Sequence, residues 1–367
     1  MKKIISMVIR VGIVLVMVGV AVWGVWRQSS QVADPSGKPV VKIGFLSDLT
    51  GNNAQVDTII KKAAEKALHD LQTRSLKNQY KIIFEDHASD IKKVPHIMRR
   101  LIHWNHIDAV VAGMASVGLI VSPLATQNKI IHINITSFDT KVADGQYNFL
   151  HRTMPEKEIK KFIEQCKKGN IKKVALITAA SQGMVMFSAD LKKALDKEGI
   201  AYDEISIVGS TTDVSLLVEK LKRKNYDLYC LLLYQPSLEA FLRNLYMKKV
   251  NKPVTTFEMF AHVREMNLIE GNWYIDSSAL TPEARSQFEA AGINANFELV
   301  GNAYDAIMLI VEAFEKADTK EEAAEALRNI KEYNGVVGRL TQDKNGIFHS
   351  PAVVKKVVDG KGIIVGE

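Results

Sequence analysis

The sequence predicts a two-lobed α/β protein, each lobe a doubly wound parallel sheet, with a hydrophobic amino-terminal helix ahead of them. Three observations point there. Short apolar, β-favouring runs alternate with segments of helical periodicity; the alternation restarts near Glu156 as a second copy; and 367 residues are too many for one ordinary core. Apolar residues make up 47% and charged residues 24%, so the chain has enough of both to bury two cores and stay soluble around them.

Residues 1–27 come first. Lys2, Lys3 and Arg10 precede the uncharged run Val11 to Trp26, the pattern of an export signal or membrane anchor whose amino terminus stays in the cytoplasm. Trp23 and Trp26 stand where a cleavage site would want small residues, and no nearby cysteine offers a lipid attachment point. An uncleaved inner-membrane anchor is therefore the preferred reading and a cleaved signal the alternative. Residues 28–39, with Ser, Pro and Gly, read as a linker. Setting aside Lys2, Lys3, Arg10 and Arg27, the formal charge of +7 falls to 44 basic against 41 acidic residues, which does not point to nucleic acid. Cys166 and Cys230 are far apart and lack metal-type spacing, so both are expected to pack as small hydrophobes, with one bridge between them left open.

The stretch Val41 to Gly51, VKIGFLSDLTG, begins as a buried parallel strand and breaks into Ser47, Asp48, Thr50 and Gly51. Ile59, Ile60, Ala63, Ala64, Ala67, Leu68 and Leu71 then recur at helical spacing. Strands follow at Tyr80 to Phe84, Ile107 to Ala112 and Ile130 to Ile133, separated by a helix carrying Ile97, Met98, Leu101 and Ile102 and by another through Leu124. In the second copy, strands near Val174, Ile205, Asp227 to Leu233 and Pro253 alternate with helices near Phe187, Val214 and Leu238. Trp273 to Ile275 reads as a further strand and three helices follow, near Glu283, Val300 and Lys320. Gly338, Asn345, Gly346, Gly360 and Gly362 punctuate the tail as hairpins.

No catalytic constellation appears. Gly113 to Gly118 reads GMASVG, with its serine one place too late for a nucleophile elbow, and there is no phosphate loop, dinucleotide fingerprint or zinc-protease helix. His96, His103 and His106 read as ordinary histidines and the Lys-rich segment Lys220 to Lys224 as a solvated face. Neither an enzyme nor a cofactor or metal is expected.

The fragments KIGFLSDLTG, FEDHASD, VVAGMAS, PLATQNKIIHINITS, FLHRTMP, KKVALIT, AYDAIMLIVEAFEKA and YNGVVGRLTQDKNG, in that order and spacing, make residues 40 to 367 resemble the extracytoplasmic solute-binding proteins of the branched-chain amino acid import family, which have the type I periplasmic binding fold. The resemblance implies two interleaved lobes joined by a three-segment hinge, the first about 40–152 plus 272–332 and the second about 153–271 plus 333–367. It also implies that a ligand is held in the cleft and buried by closure.

Ligands of open α/β sheets sit at the carboxyl ends of the strands, which nominates Ser47 and Thr50 after the first strand. The resemblance carries a carboxylate-binding role onto Ala115 and Ser116, with Thr136 and Ser137 on the next loop. Ser116 capping a helix that begins at Val117 would be the structural use of the same residue. In the second lobe, Gln182 before Gly183 stands where amino-acid-binding relatives present an aromatic residue, a departure that weakens Leu, Ile or Val as the ligand. Glu258 matches the acidic partner for a ligand ammonium, or is a solvated loop charge. Tyr234 and Gln235, at the end of an apolar strand, complete the candidates, while Tyr304 and Asp305 read as structural. The implied function is capture of a small polar solute, an amino acid or related compound, for an ABC permease. A membrane-tethered ligand sensor or envelope regulator on the same fold is the alternative.

Overall fold

The computed structural model describes residues 37–208, 211–277, 280–293 and 298–365. The expected helix at 1–27 and most of the linker lie outside them. No helix among the described residues is long and apolar enough to cross a membrane.

The first sheet has eight strands in the order β11-β12-β13-β5-β4-β3-β1-β2. They are β1 (Val40–Ser47), β2 (Gln79–Asp86), β3 (Ala109–Ala112), β4 (Ile131–Asn134), β5 (Asn148–His151), β11 (Glu332–Gly335), β12 (Gly338–Gln342) and β13 (Ile347–His349). The five amino-terminal strands pair in parallel, β13 joins β5 in parallel, and β11 to β13 form an antiparallel meander. Period-two alternation sends Ile43, Phe45 and Val111 to one face and Leu46, Val110 and Ala112 to the other. Helices α1 (Ala54–Leu71), α8 (Pro282–Ala290), α9 (Glu298–Glu315) and α10 (Lys320–Asn329) cover the first face; α2 (Val94–His103) and α3 (Ala115–Gln127) cover the second. Helix α9 is apolar nearly all round, as its sequence demands, and is buried along its length.

The second sheet runs β7-β6-β8-β9, all parallel: β6 (Lys173–Ala179), β7 (Ala201–Ile207), β8 (Leu228–Leu232) and β9 (Val254–Thr255). A bridge from Phe257 to Ile275 continues it into the antiparallel set of β10 (Trp273–Ser277), β14 (Ala352–Val358) and β15 (Lys361–Ile364). Helices α6 (Ser215–Lys222) and α7 (Ser237–Met247) pack one face; α4 (Pro155–Lys168) and α5 (Gln182–Lys197) pack the other. Cys166 and Cys230 sit together in that second core as free buried thiols. Burial pushes the Cys166 thiol up to about 12 and Cys230 well above its ordinary value.

Sheet pairing moves two segments across the expected lobe boundaries. Residues 273–277, expected in the first lobe, bond to β14 beside the second sheet, and residues 333–349, expected in the second lobe, complete the first sheet. The physical reason is that β10 joins β14 and β13 joins β5 across long stretches of sequence, so no local pattern marks their sheet. The chain passes between sheets after β5, between β10 and α8, and between β13 and β14.

Candidate functional site

The carboxyl rim of the first sheet is built from loops that tie themselves down. Asp48 accepts hydrogen bonds from the Asn53 amide and side chain and from the Ser89 hydroxyl. Asp86 accepts from the Leu49 and Ala88 amides and from Thr50 Oγ1. Burial works against both carboxylates, yet these donors hold each below the usual range. Thr50 is therefore engaged within its own rim, and Ser47, the last residue of β1, is 1% exposed. Gly51 has no room for a side chain: a Cβ there would lie 2.0 Å from Asp48 Oδ1 and 2.6 Å from the Ala88 backbone carbon.

The next two loops differ. Met114, at φ +61°, turns the chain into α3, and its amide donates to Thr136 Oγ1. Helix α3 begins at Ala115 and has no side-chain cap; its first turn closes with the Gly118 amide on Met114, leaving the amides of Ala115, Ser116 and Val117 open. Ser116 is exposed and does not cap the helix, so the structural use expected for it is not the one it has. Ser137, by contrast, is buried in a local turn: its amide donates to Asn134 and its hydroxyl accepts from the Asp139 amide.

On the second rim, Tyr234 and Gln235 follow β8 and are exposed, with a cis peptide between Gln235 and Pro236. Gln182 opens α5; its side chain lies outside the described atoms. Glu258 follows β9 at φ +59°, a left-handed backbone that turns its carboxylate back toward the hinge.

There it meets Arg152, the residue after β5, which the sequence reading did not single out. Arg152 Nη2 donates to both Glu258 oxygens at 3.2 and 3.1 Å, and Nη1 lies 3.8 Å from Glu298 at the start of α9. The guanidinium carbon sits 3.9 Å from the ring centre of Phe138, on the loop after β4. Thr153, one residue on, donates its amide to Glu298. One arginine thus touches the first rim through Phe138, the second through Glu258 and the hinge through Glu298. Burial disfavours its charge, but Glu258 and Glu298 hold it cationic.

Two further carboxyls crowd this point. Glu158, in the first turn of α4, is 1% exposed and has an oxygen without a partner. Burial, reinforced by Glu258 and opposed by Arg152, pushes it well above the carboxylate range; burial also raises Glu298 against the pull of Arg152. Asp276 on β10 pairs with buried Lys355 on β14, and burial lifts it to about 7 despite that partner. The signal in the sequence was a lone arginine in the fragment FLHRTMP at the first crossing, where a buried cation persists only if acids surround it.

Elsewhere, a concavity of about 250 Å³ at the opposite edge of the second sheet is lined by Lys222, Arg223, Lys224, Lys249 and Lys252. Lys222 donates to the Lys248 carbonyl and Lys224 pairs with Asp203, so this is the expected solvated face closing helix carboxyl ends. Tyr304 and Asp305 are structural as expected: Tyr304 donates to Asp70, and Asp305 accepts from the Val336 and Val337 amides.

A profile of the family described as periplasmic binding protein matches residues 40–361. The chain belongs to that family. Among solved structures it is similar to the branched-chain amino acid transporter substrate-binding protein LivJ of Streptococcus pneumoniae in complex with isoleucine, at 19% identity over 89% of this chain and 99% of that one, TM-score 0.75. The leucine-binding protein LivK of Thermotoga maritima matches at 19% identity over 89% and 98%, TM-score 0.74. An ABC transporter solute-binding protein of R. palustris in complex with 4-hydroxybenzoate matches at 16% identity over 89% and 96%, TM-score 0.74. At these identities the likeness is one of fold. No curated protein matches the chain.

Proposed function

We propose that this periplasmic binding protein is the extracytoplasmic receptor of an ABC importer, taking a small solute by its carboxylate between the two rims and closing over it at the three crossings. The observation that carries the reading is the uncapped start of α3, with three open amides and the exposed Ser116 hydroxyl at a carboxyl rim. Neutral donors converging at a helix amino terminus suit an anion. Isoleucine and 4-hydroxybenzoate, the solutes bound by two proteins of this fold, share a carboxylate and little else, which supports recognition at that end. Ala115, Ser116 and Thr136 form the first-rim side of the site; Gln182, Tyr234 and Gln235 form the second. Residues 1–27 hold the receptor at the inner membrane, and the closed form delivers its solute to a permease there.

The test is a thermal-shift screen of the full-length protein in detergent against amino acids, small carboxylates and amides, since a solute that binds the folded state raises its melting temperature. Hits are expected among carboxylates, and S116A should weaken them about tenfold, the effect of losing one hydrogen bond to a charged group. Silence across the panel overturns the reading in favour of a tethered regulator.

A further inference from the structure

We infer that the solute is a carboxylate with an apolar body and no charged amino group, because Arg152 of the chain itself occupies the carboxylate that a ligand ammonium would need. The inference rests on the receptor reading above and narrows it. An ammonium leaving water must find an acid not already neutralised, or forfeit its hydration without compensation.

Around both rims the partly exposed acids among the described residues are engaged, and Glu158, which keeps an unpartnered oxygen, is 1% exposed and closed off from a solute. On the first, Asp48 and Asp86 are held by amides and hydroxyls, Asp57 accepts the Asp48 amide, and Asp90 and Asp139 cap short 3-10 turns. On the second, Glu204 is held by Lys192, Ser188 and Thr178, Glu239 by the Arg264 amide, and Asp276 by Lys355. Asp213, on the loop after edge strand β7, is exposed and accepts the Ser215 amide at 3.4 Å; in open solvent its pull on a cation is screened. The undescribed internal positions 209–210, 278–279 and 294–297 read GS, SA and NANF and contribute no acid.

Glu258 remains, the partly exposed acid nearest the hinge, and both of its oxygens face Arg152. Displacing that guanidinium is not a matter of swinging a surface side chain. Arg152 is 5% exposed, stacked on Phe138 and flanked by Glu298, so an ammonium would have to break a buried charge pair to reach Glu258. What the rims do expose beside this pair is aromatic: Phe138 at 37% and Tyr234 at 43%. An apolar or aromatic body fits between such faces, with its carboxylate at the start of α3.

The experiment is calorimetric titration of the full-length protein in detergent with pairs that differ by one amino group: 4-methylpentanoate against leucine, and 3-phenylpropanoate against phenylalanine. The deamino member of each pair is expected to bind at least tenfold tighter. R152M, which frees Glu258, should erase or invert that preference, and R152K, which keeps a cation there, should retain it. Should R152M fail to fold, the wild-type comparison decides by itself. Equal or tighter binding of leucine or phenylalanine overturns the inference and leaves the receptor reading standing. So does silence for both pairs alongside a hit elsewhere in the screen, whereas silence throughout overturns the receptor reading itself.

Discussion

The rim of the first sheet and the hinge around Arg152 both bury carboxyl groups, and they treat them in opposite ways. Asp48 and Asp86 are surrounded by amides and hydroxyls that favour the charged form, and both are held below the usual range. Glu158, Glu298 and Asp276 are surrounded by protein and by one another, and burial raises all three. The difference lies in the donors. A carboxylate that accepts several N–H bonds is fixed and cheap to ionise; a buried one left to a lone cation, Lys355 for Asp276 or an Arg152 contested by Glu258 for Glu298, is neither. The first arrangement suits a preformed wall, the second a joint whose electrostatics depend on its geometry.

The sharpest way to break that contrast is to remove a cation from the hinge region. K355M leaves Asp276 buried without its partner and should cost about 3–5 kcal/mol in urea unfolding, while the double variant D276L/K355M should recover most of it. A double variant as unstable as the single one would mean that shape, not charge, governs the site. Next in size is the rim. G51A forces a methyl into Asp48 and the Ala88 backbone and should cost about 1–3 kcal/mol, with its acid transition moved to higher pH because Asp48 loses its donors. A melting profile unchanged from wild type would show that the rim yields easily.

The pH dependence should divide along the same line. Glu158, Glu298 and Asp276 hold protons in the folded state that the unfolded chain releases near the ordinary carboxyl pKa of about 4, so their contribution falls as pH rises from there to about 7, the value for Asp276. Asp48 and Asp86 work the other way: what they contribute is present above the unfolded value and is lost as pH falls through their lowered ones. The melting temperature should therefore decline from pH 5 to pH 8. E158Q should flatten that decline and raise the melting temperature at pH 8; an unaltered slope would remove Glu158 from the account.

The strands and helices of both sheets were legible because their apolar residues recur at periods of two and three to four, and only α/β layers satisfy both. Lobe membership of 273–277 and 333–349 was not, since it is decided by pairing of β10 with β14 and of β13 with β5, strands far apart in the chain. In the site, Ser116 was nominated through the family resemblance, and it lies exposed in the first turn of α3. The burial of Ser47 and Ser137 and the tie of Thr50 to Asp86 could not be read, because a hydroxyl near a strand end looks the same in sequence whichever way it turns. Arg152 was visible as a letter and not as a neighbour of Glu258, which lies 106 residues away.

The seating of β13 beside β5, and of β14 beside β10, bears on how the molecule is made. Neither half is a continuous stretch of chain, and residues 332–364 supply strands to both. A polypeptide emerging from its amino end cannot finish one half while the other is still being synthesised, so incomplete chains carry two open sheet edges at once. Irreversible compaction of either half is therefore expected to wait until nearly the whole chain has been delivered.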